Sequence, residues 1–454
     1  YRETLRLMSS NATRYEKIME KERSLGSRVK RAAIGCLLVY LAISGLIISM
    51  MMAATIYRPL PSQMGVTLRD RIRGHIFESF TRLFYYYPSR MCPNALCMLH
   101  WTRWSMKRLN KLMDPWFDSH PELLMETTTW NGVKVLVYHP RNQTTTDSDG
   151  AIVYMHGGGF GMGDIEMFES LTTAMAKQIN ARLLVSVGYR LAPETTFPGG
   201  LEDCEKVLEY VIANGPAKYG VNPNKIIVMG DSAGGNLAAS MTQRRKRRGS
   251  KPKLFGQVLM YPLLQLSDMQ TPSYRLWERE MEGLSFVDPR SVAFYYLWYA
   301  GVDMNAHPEY AIAATENRHI SEETRRVREK FMNFFLLPAE FQDDTNSTTS
   351  LSPIPELSEY LTPFLTNPDF APLMQPNLTD LPPALIVTIG FDVLRDEGAL
   401  YAERLKAVGV PTTWTHFGPG FHGMFNLHNR LQGAGEALAN LTDWTREFLR
   451  KSAE

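Results

Sequence analysis

Lys225-Ile-Ile-Val-Met-Gly-Asp-Ser-Ala-Gly-Gly-Asn-Leu-Ala-Ala-Ser-Met241 is the stretch on which the reading of the fold turns. Ile226 to Met229 is an apolar, partly β-branched run of strand length. Gly230-Asp-Ser-Ala-Gly234 is a G-x-S-x-G turn, and Asn236 to Met241 reads as helix. Strand, sharp turn and helix in that order lift the Ser232 hydroxyl clear of a sheet. Upstream, Ala151-Ile-Val-Tyr-Met155 leads in the same way into His156-Gly157-Gly158-Gly159, a loop whose backbone N–H groups can hold an oxyanion. The G-x-S-x-G pattern alone is weak: with glycine at about 7% of residues, roughly one chain of this length in ten carries it by chance. Here each glycine turn follows a predicted strand, and the C-terminal ends of strands are where open α/β sheets bind ligands.

An attacking serine needs a base and an acid, which follow it in the order serine, acid, histidine. Ala384-Leu-Ile-Val-Thr-Ile389, bounded by Pro382-Pro383 and Gly390, predicts a strand, and Asp392 falls just past its end. Asp396 is the second choice. It belongs to the first turn of a helix predicted over Asp396 to Val408, where an acid suits the helix dipole. Pro411 to His416 reads as the last strand, and His422 follows in a loop between Gly420 and Gly423, before a C-terminal helix. His416 is assigned to the strand and His428 to a helix surface. Val133 to Tyr138 and Leu183 to Val187 predict earlier strands. The fold class is therefore α/β: an α/β-hydrolase fold with a mostly parallel central sheet flanked by helices, and Ser232, Asp392 and His422 as the catalytic group.

These motifs resemble the hormone-sensitive-lipase-like branch of the α/β-hydrolases, and within it the arylacetamide deacetylase and neutral cholesterol ester hydrolase group. Tyr189-Arg-Leu-Ala-Pro-Glu194, Asp392-Val-Leu-Arg-Asp396, Tyr57-Arg-Pro-Leu-Pro61 and Tyr219-Gly-Val-Asn-Pro223 strengthen the likeness, which runs from about Tyr57 to the C-terminus. The resemblance implies a serine esterase or amidase working through an acyl-enzyme on small-molecule or lipid esters. It implies an oxyanion hole of Gly157, Gly158 and the Ala233 N–H, supported by His156 and Gly159. The chain departs from some relatives at Gly161 and Ile389, where those carry cysteines, so the corresponding disulfide is not expected. The tail ahead of Tyr57 is also longer than in the family.

Composition narrows the alternatives. A net charge of +2 gives no global pull toward nucleic acid, and Arg244-Arg-Lys-Arg-Arg248 reads as a solvated surface turn rather than a polyanion patch. No metal-ligand spacing and no G-x-G-x-x-G dinucleotide frame appear, so neither metal nor cofactor is expected. Four cysteines are too few for a disulfide scaffold. Cys92 and Cys97 are close enough to pair in an oxidising lumen, and Cys204 reads as a small buried residue.

Ala32 to Tyr57 contains no charged residue. At about 1.5 Å per helical residue it spans the roughly 30 Å hydrocarbon core of a bilayer. Arg2, Arg6, Arg14, Lys17, Lys21, Arg23, Arg28, Lys30 and Arg31 precede it, and only Arg58 follows at once. The positive-inside rule then gives a cytosolic tail (1–31), a transmembrane signal anchor (32–57) and a lumenal catalytic domain, a single-pass type II protein of the endoplasmic reticulum membrane. The sequons at Asn142, Asn346, Asn377 and Asn440 fall on the lumenal side as glycosylation candidates, while Asn11 stays bare. Residues 58–130, with Phe84 to Tyr87, Trp101, Trp104 and Trp116, read as cap helices and lead-in. Trp101 and Trp104, among basic residues, either pack within that cap or rest at the membrane interface. Residues 131–454 read as the catalytic domain, with an insertion at about 316–383. The rival reading is a catalytically inactive, hydrolase-like membrane binding protein, and it is weakened because all three catalytic positions are filled.

Overall fold

The structure is a computed structural model describing residues 17, 19–21, 25, 28, 30, 31, 33–47, 49, 50, 57–113, 122–142, 146–342 and 351–451. The chain divides into two compact units, Tyr1–Arg58 and Pro59–Glu454. In the first, residues 33–47 are helical and almost all exposed. Among the described residues, no helix is long and apolar enough to cross a membrane. Residues 32, 48 and 51–56 of the expected anchor, most of the expected tail with Asn11, and Trp116 and Asn346 lie outside the described residues.

The second unit is organised by one sheet. Its strands are β1 (Leu123–Trp130), β2 (Val133–Pro140), β3 (Ser148–Met155), β4 (Ala181–Gly188), β5 (Ile226–Asp231), β6 (Gly256–Met260), β7 (Ala384–Phe391) and β8 (Thr412–Phe421). Their spatial order is β1-β2-β4-β3-β5-β6-β7-β8. β2 runs antiparallel to β1 and β4, and the rest of the sheet is parallel. The β1–β2 hairpin turns on Asn131-Gly132, both with positive φ, as a two-residue connection matched to strand twist requires. Every residue of β5 and β6 is buried, which is why these strands read as continuous apolar runs rather than alternating ones.

The helices are α1 (Leu68–Thr81), which continues through a π-helical turn (Arg82–Tyr86) into α2 (Tyr87–Met91), then α3 (Ala95–Met113), α4 (Glu169–Ile179), α5 (Gly199–Tyr219) and α6 (Ala233–Arg248). Between β6 and β7 lie α7 (Pro272–Glu280), α8 (Pro289–Tyr299), α9 (Tyr310–Thr315), α10 (Glu322–Phe331) and α11 (Pro355–Leu365). α12 (Arg395–Ala407) and α13 (Gln432–Arg450) complete the unit. The segment read as an insertion, 316–383, contains no strand among its described residues, but the helical excursion begins earlier, at Pro272. Two strands went unread. β1 is mostly exposed and lacks apolar alternation, and β6 is only five residues long. β8 continues to Phe421, past the predicted end at His416, because a register shift between Ile389 and Phe391 lets the β7–β8 ladder resume.

The arginine run after the elbow is not a solvated turn. Arg244 and Arg245 are buried. Arg244 donates to Asp369 at 2.7 Å and to Glu205 at 2.9 Å, Arg245 pairs with Glu209, and Arg248 lies 3.2 Å from Glu205. The run ties α6 to α5 and to the loop before β7. Cys92 and Cys97 are half-buried and unbridged, and Cys204 is buried.

Candidate active site

The ends of three parallel strands carry the reacting groups. After β5 the chain turns at Ser232 with φ 55° and ψ −121°, a conformation costing a non-glycine residue about 1–3 kcal/mol. Two ties hold it there: the Ser232 N–H donates to the Met260 carbonyl at 2.9 Å, and the Ser232 carbonyl accepts the Leu263 N–H at 3.1 Å. The glycines beside it are required by proximity. A Cβ at Gly230 would lie 2.2 Å from the Gly234 carbonyl oxygen, and one at Gly234 would lie 2.0 Å from that of Met155.

Asp392 follows β7, and His422 follows β8 directly. The imidazole bridges them: Nε2 lies 2.9 Å from Ser232 Oγ and Nδ1 lies 2.8 Å from Asp392 Oδ2. The second carboxylate oxygen of Asp392 accepts the Leu394 N–H at 2.9 Å, which fixes its orientation. All three residues expected from the sequence are therefore brought together, in hydrogen-bonded line. Asp396 is directed elsewhere. It accepts the Ser273 N–H at 2.7 Å and the Arg395 guanidinium at 2.8 Å. His416 is on β8 with Nδ1 3.0 Å from Thr388 Oγ1, and His428 caps a short 3-10 turn through the Phe425 carbonyl. Glu397 is buried close by, and burial holds its carboxyl well above the usual carboxylate range. A proton there avoids adding a further negative charge beside Asp392.

The glycine loop is shaped from beneath. His156 is buried, stacked between Tyr189 (ring centroids 4.4 Å apart) and Phe168 (5.2 Å). Burial pulls its pKa down to about 4, so the ring is neutral at physiological pH. Its Nδ1 donates to the Gly157 carbonyl at 2.7 Å, which requires the Nδ1–H tautomer. His156 thus shapes the loop and takes no part in the proton chain. Phe160 follows the loop with φ 63° and stacks on Tyr299 of α8 at 3.9 Å.

Two participants were missed from the sequence. Asp231, buried beside Ser232, accepts the Tyr154 hydroxyl at 2.6 Å and the Gly157 N–H at 2.7 Å. That commits the Gly157 N–H to a carboxylate. Among the described residues, the N–H groups of Gly158 and Ala233 have no such partner. The available signal was the carboxylate inside G-D-S-A-G together with a tyrosine two residues before His156. The second is Tyr261, at the end of β6, with φ 36° and its ring 4.8 Å from the His422 imidazole. No group of His, Cys, Asp or Glu able to hold a metal ion occurs among the described residues.

Comparison with known proteins gives the class. The profile of a family with the alpha/beta hydrolase fold matches residues 152–331 and 342–426. Neutral cholesterol ester hydrolase 1 of Pongo abelii is 35% identical over 322 residues, covering 69% of this chain and 76% of that protein. Arylacetamide deacetylase of Oryctolagus cuniculus is 34% identical over 336 residues, covering 72% and 81%. An esterase of Pyrobaculum calidifontis superimposes with a TM-score of 0.57 at 26% identity, over 77% of this chain and 92% of that one. The chain belongs to the α/β-hydrolases and is a carboxylic ester hydrolase. Its place within them is the hormone-sensitive-lipase-like group of neutral cholesterol ester hydrolases and arylacetamide deacetylases.

The Asp231 environment has a measurable consequence. Burial pushes its carboxyl up from 3.8 to about 6, against the opposing pull of Tyr154 and Gly157. The folded state therefore holds this proton more tightly than the unfolded chain does. The carboxyl's contribution to stability is fully present below about pH 4 and is lost as pH rises through about 6. Two pH units correspond to about 3 kcal/mol. Asp231→Asn removes this titration, so its stability relative to wild type should rise by roughly 2–3 kcal/mol between pH 4 and pH 7 in urea unfolding. A pH-independent difference would mean that Asp231 does not titrate in this window.

Proposed function

We propose that the protein is a membrane-anchored serine hydrolase that cleaves carboxylic esters through an acyl-enzyme. The observation that carries the reading is the hydrogen-bonded line from Ser232 through His422 to Asp392. Ser232 Oγ attacks the ester carbonyl while His422 Nε2 takes its proton. Asp392 accepts from Nδ1–H, fixes the tautomer and stabilises the imidazolium. The imidazolium returns the proton to the departing alkoxide, and a water then repeats the sequence on the acyl-enzyme. The oxyanion falls to the N–H groups of Gly158 and Ala233. Gly157, expected as a third donor, acts through Asp231 instead, positioning the loop. The names of the relatives, a cholesterol ester hydrolase and an arylacetamide deacetylase, make lipid esters and arylacetamides the first substrates to try.

The test is chemical. Ser232→Ala and His422→Ala should each lower kcat/KM by at least ~10⁴-fold on a soluble short-chain ester while unfolding at the wild-type temperature. An organophosphate should label wild type at Ser232 and leave Ser232→Ala unlabelled. Labelling elsewhere, or activity surviving in Ser232→Ala, removes the assignment. Asp392→Asn should lose far more than Asp396→Asn, because Asp396 faces Ser273 and Arg395.

The anchor and its orientation rest on the uncharged stretch Ala32 to Tyr57 and the basic residues before it. Asn142, Asn377 and Asn440 are exposed, as acceptors of a lumenal glycan must be. Protein synthesised with microsomes should lose mass on glycosidase treatment, and protease added outside sealed vesicles should trim only the tail. Digestion of the catalytic unit under those conditions reverses the orientation.

A further inference from the structure

α1 buries polar side chains and leaves most of its aliphatic ones exposed. Asp70, Glu78 and Thr81 are buried, as is Arg82 at the start of the π-helical turn. These groups find partners within the protein. The Asp70 carboxylate accepts the N–H groups of Gln432 and Gly433 at 2.8 and 3.1 Å, capping α13. Glu78 pairs with Arg82 and accepts the Ser285 N–H at 3.1 Å. Outward point Leu68, Ile72 and Ile76, which are 74%, 52% and 62% exposed. Leu83, Phe84 and Tyr87 continue the exposed row to Met91, which is 83% exposed. Leu68, Ile72, Ile76 and then Leu83, Tyr87, Met91 recur at steps of four, with one of seven between, and so share one side of a helical rod. At about 1.5 Å per residue the rod is roughly 35 Å long. A helix at a water-exposed surface has the opposite pattern.

Within the segment that carries the stripe, the exposed charge has one sign. Between Pro59 and Met113 the only acids are Asp70 and Glu78, both buried. Arg69, Arg90, Lys107 and Arg108 are exposed, and Arg108 lies 5.9 Å from the ring of the exposed Trp104. Two copies meeting through this face would bring like charges together, because a two-fold interface sets each patch against itself. Anionic headgroups around an acyl interior match both the stripe and its rim.

We propose that α1 and α2 lie in the plane of a bilayer containing anionic lipids, forming a docking surface distinct from the anchor segment. The proposal extends the membrane reading given above. It also re-sorts the aromatic and basic residues of this region. Trp101 is half-buried and donates its indole N–H to the Phe84 carbonyl at 2.9 Å, so it packs the helices together. Arg103 is turned inward, pairing with Glu194 at 2.7 Å and donating to the Gly161 carbonyl at 2.8 Å. Trp104 is the indole left at the surface. Next to Ile76, Phe77 stacks on Phe421 at 6.1 Å, and Phe421 precedes His422. The helix that meets lipid therefore packs, through Phe77, against the residue that precedes His422 in the chain.

Photocrosslinking in the whole 454-residue chain tests this without reading turnover. Benzoylphenylalanine is placed at Ile76, at Ile72 in a second protein, and at the exposed Val408 of the α12 C-terminus as control. Each protein is reconstituted into vesicles of phosphatidylcholine with phosphatidylserine, irradiated and analysed by mass. Lipid adducts at positions 72 and 76 should exceed those at 408 by at least ~tenfold. They should fall severalfold in Arg69→Glu/Arg90→Glu or when phosphatidylserine is left out. A chain that remains in the vesicles but gives no more adduct at 72 and 76 than at 408 overturns the docking surface while leaving the anchor and the hydrolase reading intact. A covalent dimer at 72 or 76 assigns the stripe to a second copy instead. A yield indifferent to phosphatidylserine overturns the role given to the basic rim.

Discussion

One carboxylate joins the two halves of the catalytic apparatus. Asp231 is next to the nucleophile in the chain, yet its Oδ1 is held by Tyr154 from β3 and by the N–H of Gly157 in the loop after β3. Placing a carboxylate in an apolar interior is unfavourable, and two short hydrogen bonds to the same oxygen offset part of that cost. The return is geometric. The spacing between Ser232 and the oxyanion loop is set by the β3–β5 register, Met155 opposite Gly230, and is then fixed by this joint. Preorganisation of this kind matters because donors aimed at developing charge stabilise it most when they need not move.

The same closeness explains the glycines. The elbow brings the backbone of residues 230–235 against the ends of β3 and the start of the loop. Side chains at Gly230 or Gly234 would overlap carbonyl oxygens that cannot yield. The strained φ of Ser232 persists because bonds to Met260 of β6 and from Leu263 hold the two peptide groups that flank its Cα. Strain and close approach coincide where the hydroxyl has to stand clear of the sheet.

Much of this was legible in the sequence because it is written locally. Each triad residue follows a short apolar run, and placement at the strand ends separated Asp392 from Asp396, in the first turn of a helix, and His422, in a glycine-flanked loop, from His416 and His428. What escaped depends on partners distant in sequence. Asp231 and Tyr154 are 77 residues apart, and although each sits beside a recognised motif, neither motif by itself declares the bond. The arginines of α6 looked solvated because Glu205, Glu209 and Asp369 lie far from them along the chain. β1 was unreadable for a different reason: an edge strand with exposed threonines carries no alternation to detect.

α1 is the case in which local pattern and environment part company. Its apolar residues do not mark the buried side, because the interior positions are taken by Asp70 and Glu78, which are needed as a cap for α13 and as a partner for Arg82 and Ser285. Once those polar groups are satisfied inside, the outer face is free to be apolar, and water gives no physical reason for it to be so. None of these contacts reaches Ser232, His422 or Asp392, whose positions are set by the ends of β5, β7 and β8. The sheet therefore positions the triad independently of the α1 surface. On its inner side the helix that carries the stripe packs Phe77 against Phe286 and against Phe421, the last residue of β8.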